Sequence, residues 1–259
     1  MTAFAHSDLD VKVRVVRDLL HRALGEHRRL TYASSLGAES IVLTDLIAAD
    51  FPQIDIFTID TGRLPEETYA LLEQLERRYR LPRSPRVREQ EPQRPGRIRV
   101  VSPDALALER LVARDGVNGF YEGLEARLEC CRIRKVEPFR RAILGYSGWI
   151  TGVRRRHSAE RARSNPIEWD VEHGLHKISP LLDWTDGDVW QYIRSRDLPY
   201  NRLHDQGYTS IGCAPCTRAV GAGEDFRAGR WWWERSTSRE CGLQGRRTRA
   251  AIPIFAISS

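Results

Sequence analysis

Leu30-Thr31-Tyr32-Ala33-Ser34-Ser35-Leu36-Gly37-Ala38-Glu39-Ser40 decides the fold. Leu30 to Ala33 reads as a short apolar strand, Ser34 to Gly37 as a small-residue turn, and Ala38 to Ala49 as a helix by its apolar spacing. Strand, tight turn and helix in that order open a βαβ unit. The first amides of such a helix lack partners, so phosphate or sulfate can approach the backbone there. The turn is not a Walker A loop, because the Gly-Lys-Ser/Thr ending is absent.

Outward from this stretch the pattern repeats. Ile54 to Ile59 reads as a second strand, broken at Asp60-Thr61-Gly62-Arg63, and Ile98 to Val101 as a third. Trp149 to Val153 is a fourth, running into Arg154-Arg155-Arg156. Helical spacing covers Val11 to Leu24, Pro65 to Tyr79, Ala105 to Arg114 and Asp186 to Arg196. Pro65 stands near a first turn, Glu66 and Glu67 suit the helix dipole, and Thr185 with Asp188 forms a capping-box pattern. This alternation predicts an α/β fold, a parallel sheet flanked by helices. The loops at Ser34, Asp60 and Arg154 then share the carboxyl edge of the sheet, where a nucleotide with an anionic tail would bind. Residues 1–198 form the nucleotide-binding core, with a Pro-, Arg- and Glu-rich surface insertion near 81–97; residues 199–259 read as a loop-rich segment.

The formal charge of the 259 residues is +6, and Lys12, Lys135 and Lys177 are the only lysines, so arginine dominates. An arginine-rich surface suits anionic partners, although scattered residues such as Arg14 and Arg110 read as solvated surface. No apolar run approaches the ~20 residues of a spanning helix, and Met1 to Asp10 does not read as a signal peptide. A cytoplasmic protein with no membrane partner is expected. In that compartment clustered thiols bind metal more often than they form disulfides.

The five cysteines are sharply placed. Cys130 and Cys131 are adjacent, Cys213 and Cys216 form a C-x-x-C, and Cys241 stands alone. Four thiols suffice for one tetrahedral metal or one iron–sulfur cluster, which leaves the fifth as a candidate nucleophile. Adjacent cysteines strain a single zinc's geometry, which favours a cluster over zinc. Cys130-Cys131 is read as the start of a helix through Lys135 and Phe139, with Lys135 one turn from Cys131. Arg246, Arg247 and Arg249 would lower the pKa of Cys241, whereas Glu240 would raise it. Arg227 and Arg230 are anion-site candidates around Gly229, and Trp231 to Trp233 should alternate between core and interface. His176 and His204 read as structural.

Taken together, Asp60-Thr61-Gly62-Arg63, Cys130-Cys131-x-x-Arg134-Lys135, Thr151-Gly152-x-Arg154-Arg155, Gly212-Cys213-x-x-Cys216-Thr217, Gly229-Arg230-Trp231-Trp232-Trp233-Glu234 and Glu240-Cys241-Gly242-Leu243 resemble the assimilatory sulfonucleotide reductases, and specifically their cluster-containing adenylyl-sulfate (APS) reductases. The resemblance implies a PP-loop fold of the adenine nucleotide alpha hydrolase type and reduction of APS to sulfite and AMP. Cys130, Cys131, Cys213 and Cys216 would hold a [4Fe–4S] cluster, and Lys135 would couple it to the substrate sulfate. Arg154, Arg227 and Arg230 would bind the phosphosulfate; Ser34, Ser35, Gly37, Thr61, Gly62 and Arg63 would hold the adenosine phosphate side. Cys241 would attack sulfur to give an S-sulfocysteine, from which thioredoxin or a similar dithiol releases sulfite. A homo-oligomer is compatible with this reading.

The chain departs from the family pattern at Gln244, where histidine is common, at Arg156-His157, at Arg132, in the 81–97 insertion and in the apolar end, Ile252 to Ile257. Arg156 and His157 add charge that could loosen discrimination against the 3′-phosphorylated substrate, PAPS, so PAPS reduction is one alternative. A tRNA-thiolating PP-loop enzyme is another, but its Ser-Gly-Gly-x-Asp-Ser loop is not matched by Ser35 to Ser40. A nucleic-acid-binding module would leave Cys241 without a role, so no nucleic-acid partner is expected.

Overall fold

The computed structural model describes residues 8–79, 98–157 and 163–234. The 81–97 insertion and Cys241 with its flanking tail lie outside the described residues.

The quoted stretch forms β1 (Leu30–Ser34) and α2 (Ala38–Asp50). Leu36, in the turn between them, adopts φ 58°. That left-handed conformation costs a non-glycine residue about 1 kcal/mol or more. Burial of the Leu36 side chain in the main core opposes the cost. α2 is apolar on nearly every face and is accordingly buried, from Ile41 to Ile47. Its one inward acid, Asp45, accepts hydrogen bonds from Tyr79 (2.9 Å) and Tyr192 (2.7 Å), and burial with this carboxylate pushes the Tyr192 phenol well above its usual range.

The other strands are β2 (Asp55–Ile59), β3 (Arg99–Val101), β4 (Gly148–Ile150), β5 (Ile167–Asp170) and β6 (Leu175–Ile178). They join in the order β3-β2-β1-β4-β6-β5. Five run parallel, and β5 pairs antiparallel with β6 at the edge. The expected α/β architecture is found, with a correction: the sheet is mixed, and the 167–178 hairpin was not anticipated. Its strands have four residues each, and Trp169 on the edge strand is 56% exposed, so no apolar run marks them. β4 is also shorter than the expected Trp149 to Val153, because the chain leaves the sheet after Thr151 donates to Ile178.

Flanking helices are α1 (Asp8–Glu26), α3 (Glu66–Tyr79), α4 (Ala105–Asp115), α5 (Leu124–Cys131), α6 (Glu137–Ile143) and α7 (Asp186–Ser195). Both reciprocal bonds of the α7 capping box form between Thr185 and Asp188. Among the described residues no helix is long and apolar enough to cross a membrane. The connections leave the central β1 towards β2 on one side and reach β4 on the other, so the sheet's order reverses between β1 and β4. A crevice at the carboxyl ends of those two strands follows from this reversal.

Candidate functional site

A cavity of about 230 Å³ lies in that crevice. Its wall includes Ser34, Ser35 and Gly37 of the β1–α2 turn, Thr61 after β2, and Thr151 and Gly152 after β4. All four paired cysteines line the same cavity, with Lys135, Arg227 and Arg230. Substrate-loop and cysteine candidates from distant parts of the sequence thus share one space.

The β1–α2 turn is built to present its backbone. The Ser40 hydroxyl accepts from the Ser35 amide at 3.0 Å and lies 2.9 Å from the Ser35 hydroxyl. Ser34 is buried, its hydroxyl accepting from the Leu36 amide at 3.4 Å. Gly37 is the N-cap of α2 and contributes no side-chain cap, which leaves amides of the first turn open to an anion. Beyond β2, the buried Thr61 hydroxyl lies 3.2 Å from the Cys213 sulfur. Gly62 has φ 70°, a conformation that favours glycine, and its amide donates to Asp60 at 2.8 Å. Arg63 is directed elsewhere. It donates to the Val117 carbonyl and to Asn118 (2.9 Å), and its guanidinium sits over the Phe120 ring.

The cysteine helix differs from expectation. Cys130 and Cys131 do not begin a helix; they end α5, and the chain continues through a widened π turn, Arg132–Val136, into α6. Pro138 near the start of α6 cannot donate to the preceding turn, so the widened turn relieves that conflict. Both cysteines and Lys135 still face the cavity. Cys216 is buried, and Cys130, Cys131 and Cys213 are partly so. Burial, with the neighbouring Cys213 and Cys131 sulfurs, pushes the Cys216 thiol up to about 12; burial also raises Cys130, against the pull of Arg134.

Arg230 is buried, and its guanidinium lies over the Trp231 ring at 4.8 Å. Among the described residues its guanidinium makes only long hydrogen bonds, 3.4 Å each, to Ser210 and Ile211. Gly212 makes room for it, since a β-carbon there would lie 2.3 Å from an Arg230 nitrogen. Arg154 does not line this cavity. It is buried, 2.7 Å from Glu39, bonded to Asp186 and to the Trp184 carbonyl, beside a separate cavity of about 400 Å³. As expected, the tryptophans alternate: Trp231 is buried, Trp232 exposed and Trp233 packed against the cluster of Phe120, Cys216 and Trp231. His204 is held through Nδ1 by the Tyr208 carbonyl at 2.7 Å, and His176 stacks on His27.

Two buried arginines of the cavity wall, Arg134 and Arg127, had no place among the candidate site residues. Arg134 is buried and donates to the Thr61 carbonyl at 2.7 Å, tying the π turn to the β2 loop. Arg127 is fully buried, with Glu234 accepting at 2.7 and 2.9 Å. An unpaired charge there would cost several kcal/mol, roughly. Its sequence signal was position alone: Arg127 precedes Cys131 by one helical turn.

Among the described residues no three His, Cys, Asp or Glu side chains surround a single ion position. The donors instead suit a larger, sulfur-rich group. Four thiols line one cavity, and as thiolates they would repel without cationic compensation. Buried nitrogens of Arg127, Arg134, Arg230, Trp231 and Trp233 also lack hydrogen-bond partners among the described residues. Such donors match the acceptor surface of sulfurs.

The phosphoadenosine phosphosulfate reductase domain pattern matches residues 29–219. An adenosine 5′-phosphosulfate reductase of Allochromatium vinosum is 48% identical over 229 residues, covering 88% of this chain and 84% of that protein. One from Neisseria meningitidis serogroup B is 49% identical, covering 90% and 89%. A crystal structure of phosphoadenylyl-sulfate reductase from Candida auris aligns over 85% of this chain and 100% of its own (TM-score 0.62, 24% identity). Candida glabrata FMN adenylyltransferase aligns over 88% and 75% (TM-score 0.55, 14% identity). The last two likenesses speak to the fold alone, the α/β nucleotide-binding type seen here. Domain match and close relatives agree with the site's geometry, and the chain belongs to the sulfonucleotide reductase family, in its adenosine 5′-phosphosulfate reductase branch.

Proposed function

We propose that this protein reduces adenosine 5′-phosphosulfate to sulfite and AMP. One observation carries the reading: a single cavity is lined by an anion-binding helix start, by the cations Lys135, Arg227 and Arg230, and by four cysteines. The turn Ser34-Ser35-Leu36-Gly37, with Thr61 and Gly62, holds the nucleotide side. Lys135, Arg227 and Arg230 oppose the charge of the phosphosulfate and of the departing phosphate. Arg154, saturated by Glu39, Asp186 and Trp184, acts as a strut behind the turn, and Arg63 braces the β2 loop.

The Cys241 thiolate attacks the sulfur of the substrate. A sulfur–sulfur bond forms, the bond from sulfur to the bridging phosphate oxygen breaks, and AMP leaves with the electron pair. A thiolate of a dithiol reductant of the thioredoxin type then attacks the Cys241 sulfur and expels sulfite. The reductant's second thiol closes its own disulfide and frees Cys241. Cys130, Cys131, Cys213 and Cys216 would hold a [4Fe–4S] cluster, which when bound would tune the electrostatics of the site through the neighbouring cations without entering the bond changes.

Intact-mass spectrometry tests this on anaerobically purified protein given substrate but no thiol. A sulfite-sized adduct on Cys241 that thioredoxin removes is expected. Cluster-loaded protein that forms no adduct would overturn the proposed mechanism. Equal yields from the 3′-phosphorylated substrate would remove the preference for the unphosphorylated one.

A further inference from the structure

Among the described residues, Arg127 is the one fully buried arginine that touches both halves of the cysteine-bearing region. Its Nε and Nη2 are taken by the two oxygens of Glu234 at 2.7 and 2.9 Å. Its guanidinium lies 4.4 Å from the Trp231 ring centre. Nη1 is buried and has no hydrogen-bond partner among the described residues. Cys131 stands one helical turn onward in α5, on the same helix face, and both line the cavity.

We infer that Arg127 is a two-sided positioning residue: with Cys131 held as a metal-bound thiolate, Nη1 would donate to that sulfur, while Nε and Nη2 clamp Glu234. Glu234 precedes Cys241 by seven residues, so the clamp fixes the base of the segment that carries the proposed nucleophile. The planar fork is what lets one side chain serve both partners, and an ammonium cannot copy it. One end sets the charge and orientation of a cysteine that would hold the metal group, and the other sets where the tail begins. The inference rests on the cluster reading above.

The test uses the full chain, purified anaerobically with its cluster, and two readouts. Resonance Raman spectroscopy reports the iron–cysteine stretches, and a chelator reports iron release. Arg127→Gln is expected to shift those stretches and to speed iron release about 10–100-fold, as loss of an outer partner of a metal ligand does. Glu234→Gln should leave the stretches in place and slow formation of the Cys241 adduct. Arg127→Lys, which keeps the charge and loses the fork, should shift the stretches and serves if Arg127→Gln loads no cluster. Unchanged stretches in both Arg127 variants, or equal shifts in Glu234→Gln, would overturn the inference. Wild-type protein without iron–cysteine stretches would instead overturn the cluster reading beneath it.

Discussion

The sheet and the cysteine-bearing region stand side by side but are held together by different forces. Around the sheet, α2 and strands β1 and β4 bury a continuous apolar cluster in which Ile41, Leu43 and Ile150 are wholly enclosed. The apolar cluster of the cysteine region is small, built on Phe120, Cys216 and Trp231. It relies on the Arg127–Glu234 pair, the Arg134 link to Thr61, and edge-on contacts of Trp233 with Tyr121 (4.5 Å) and Trp232 (4.9 Å). Apolar burial is non-directional and tolerant, whereas ion pairs and thiol ligands depend on angle and distance. One region therefore provides a frame, and the other is adjustable and fragile.

The comparison breaks or holds first at Cys216. Cys216→Ser should bring bound iron to background and cut sulfite formation by more than the about 10–100-fold typical of losing an outer partner. The main denaturation transition should fall by less than about 1 kcal/mol if the two regions open separately. A common collapse in circular dichroism would show that they form one cooperative unit. The reverse substitution lies in α2. Leu43→Ala, at a position with no solvent exposure, should cost about 2–5 kcal/mol in urea unfolding. Iron per folded chain should stay at the wild-type level, because Leu43 does not line the cysteine cavity.

The same contrast explains what could be read from the chain. The apolar runs at Leu30 to Ala33 and Ile54 to Ile59, and the helical spacing that follows each, express apolar burial, which a sequence displays directly, and those elements fall within a residue or two of expectation. The 167–178 hairpin was hidden because an exposed edge strand needs no apolar run. In the cysteine region the residues stood out by type, but their geometry did not. Nothing in Leu124 to Lys135 announces a π turn, and the full burial of Arg127 depends on Glu234, 107 residues away. Arg154 shows the same limit: a basic run reads as an anion site, and nothing local in it announces the ion pairs with Glu39 and Asp186. Local periodicity is legible; long-range pairing of polar groups is not.

Gly212 probes the fragile side at smaller cost. A β-carbon there would meet two Arg230 atoms at 2.3 and 2.6 Å. Gly212→Ala must displace that guanidinium, with an overpacking cost of about 1–3 kcal/mol confined to the cysteine region. A raised KM with little change in the main unfolding transition is the expected kinetic and thermodynamic signature. An unchanged KM would remove Arg230 from the substrate side.

The smallest effect belongs to the frame's polar edge, at Asp188. One oxygen of this carboxylate accepts from the Thr185 amide (2.7 Å), the Thr185 hydroxyl (2.8 Å) and Lys12 (2.8 Å). Burial alone would raise its pKa, but Lys12 and Thr185 prevail and hold it below the ordinary 3.8. Lys12 moves above 10.5, chiefly through its hydrogen bond to Asp188. A depressed carboxylate contributes stability above its unfolded pKa and loses it as pH falls through the folded value. A raised ammonium contributes below its unfolded pKa and loses it as pH climbs through the folded value. Asp188→Asn should therefore cost about 1 kcal/mol across the neutral range. The gap from wild type should close on both sides, below about pH 4 and above about pH 10.5. Urea titrations at pH 3.5, 7 and 11, chosen as rough brackets of those two unfolded values, would reveal it. A gap that stayed constant at all three would assign the effect to helix-cap geometry alone, leaving the frame with no electrostatic share in its stability at this edge.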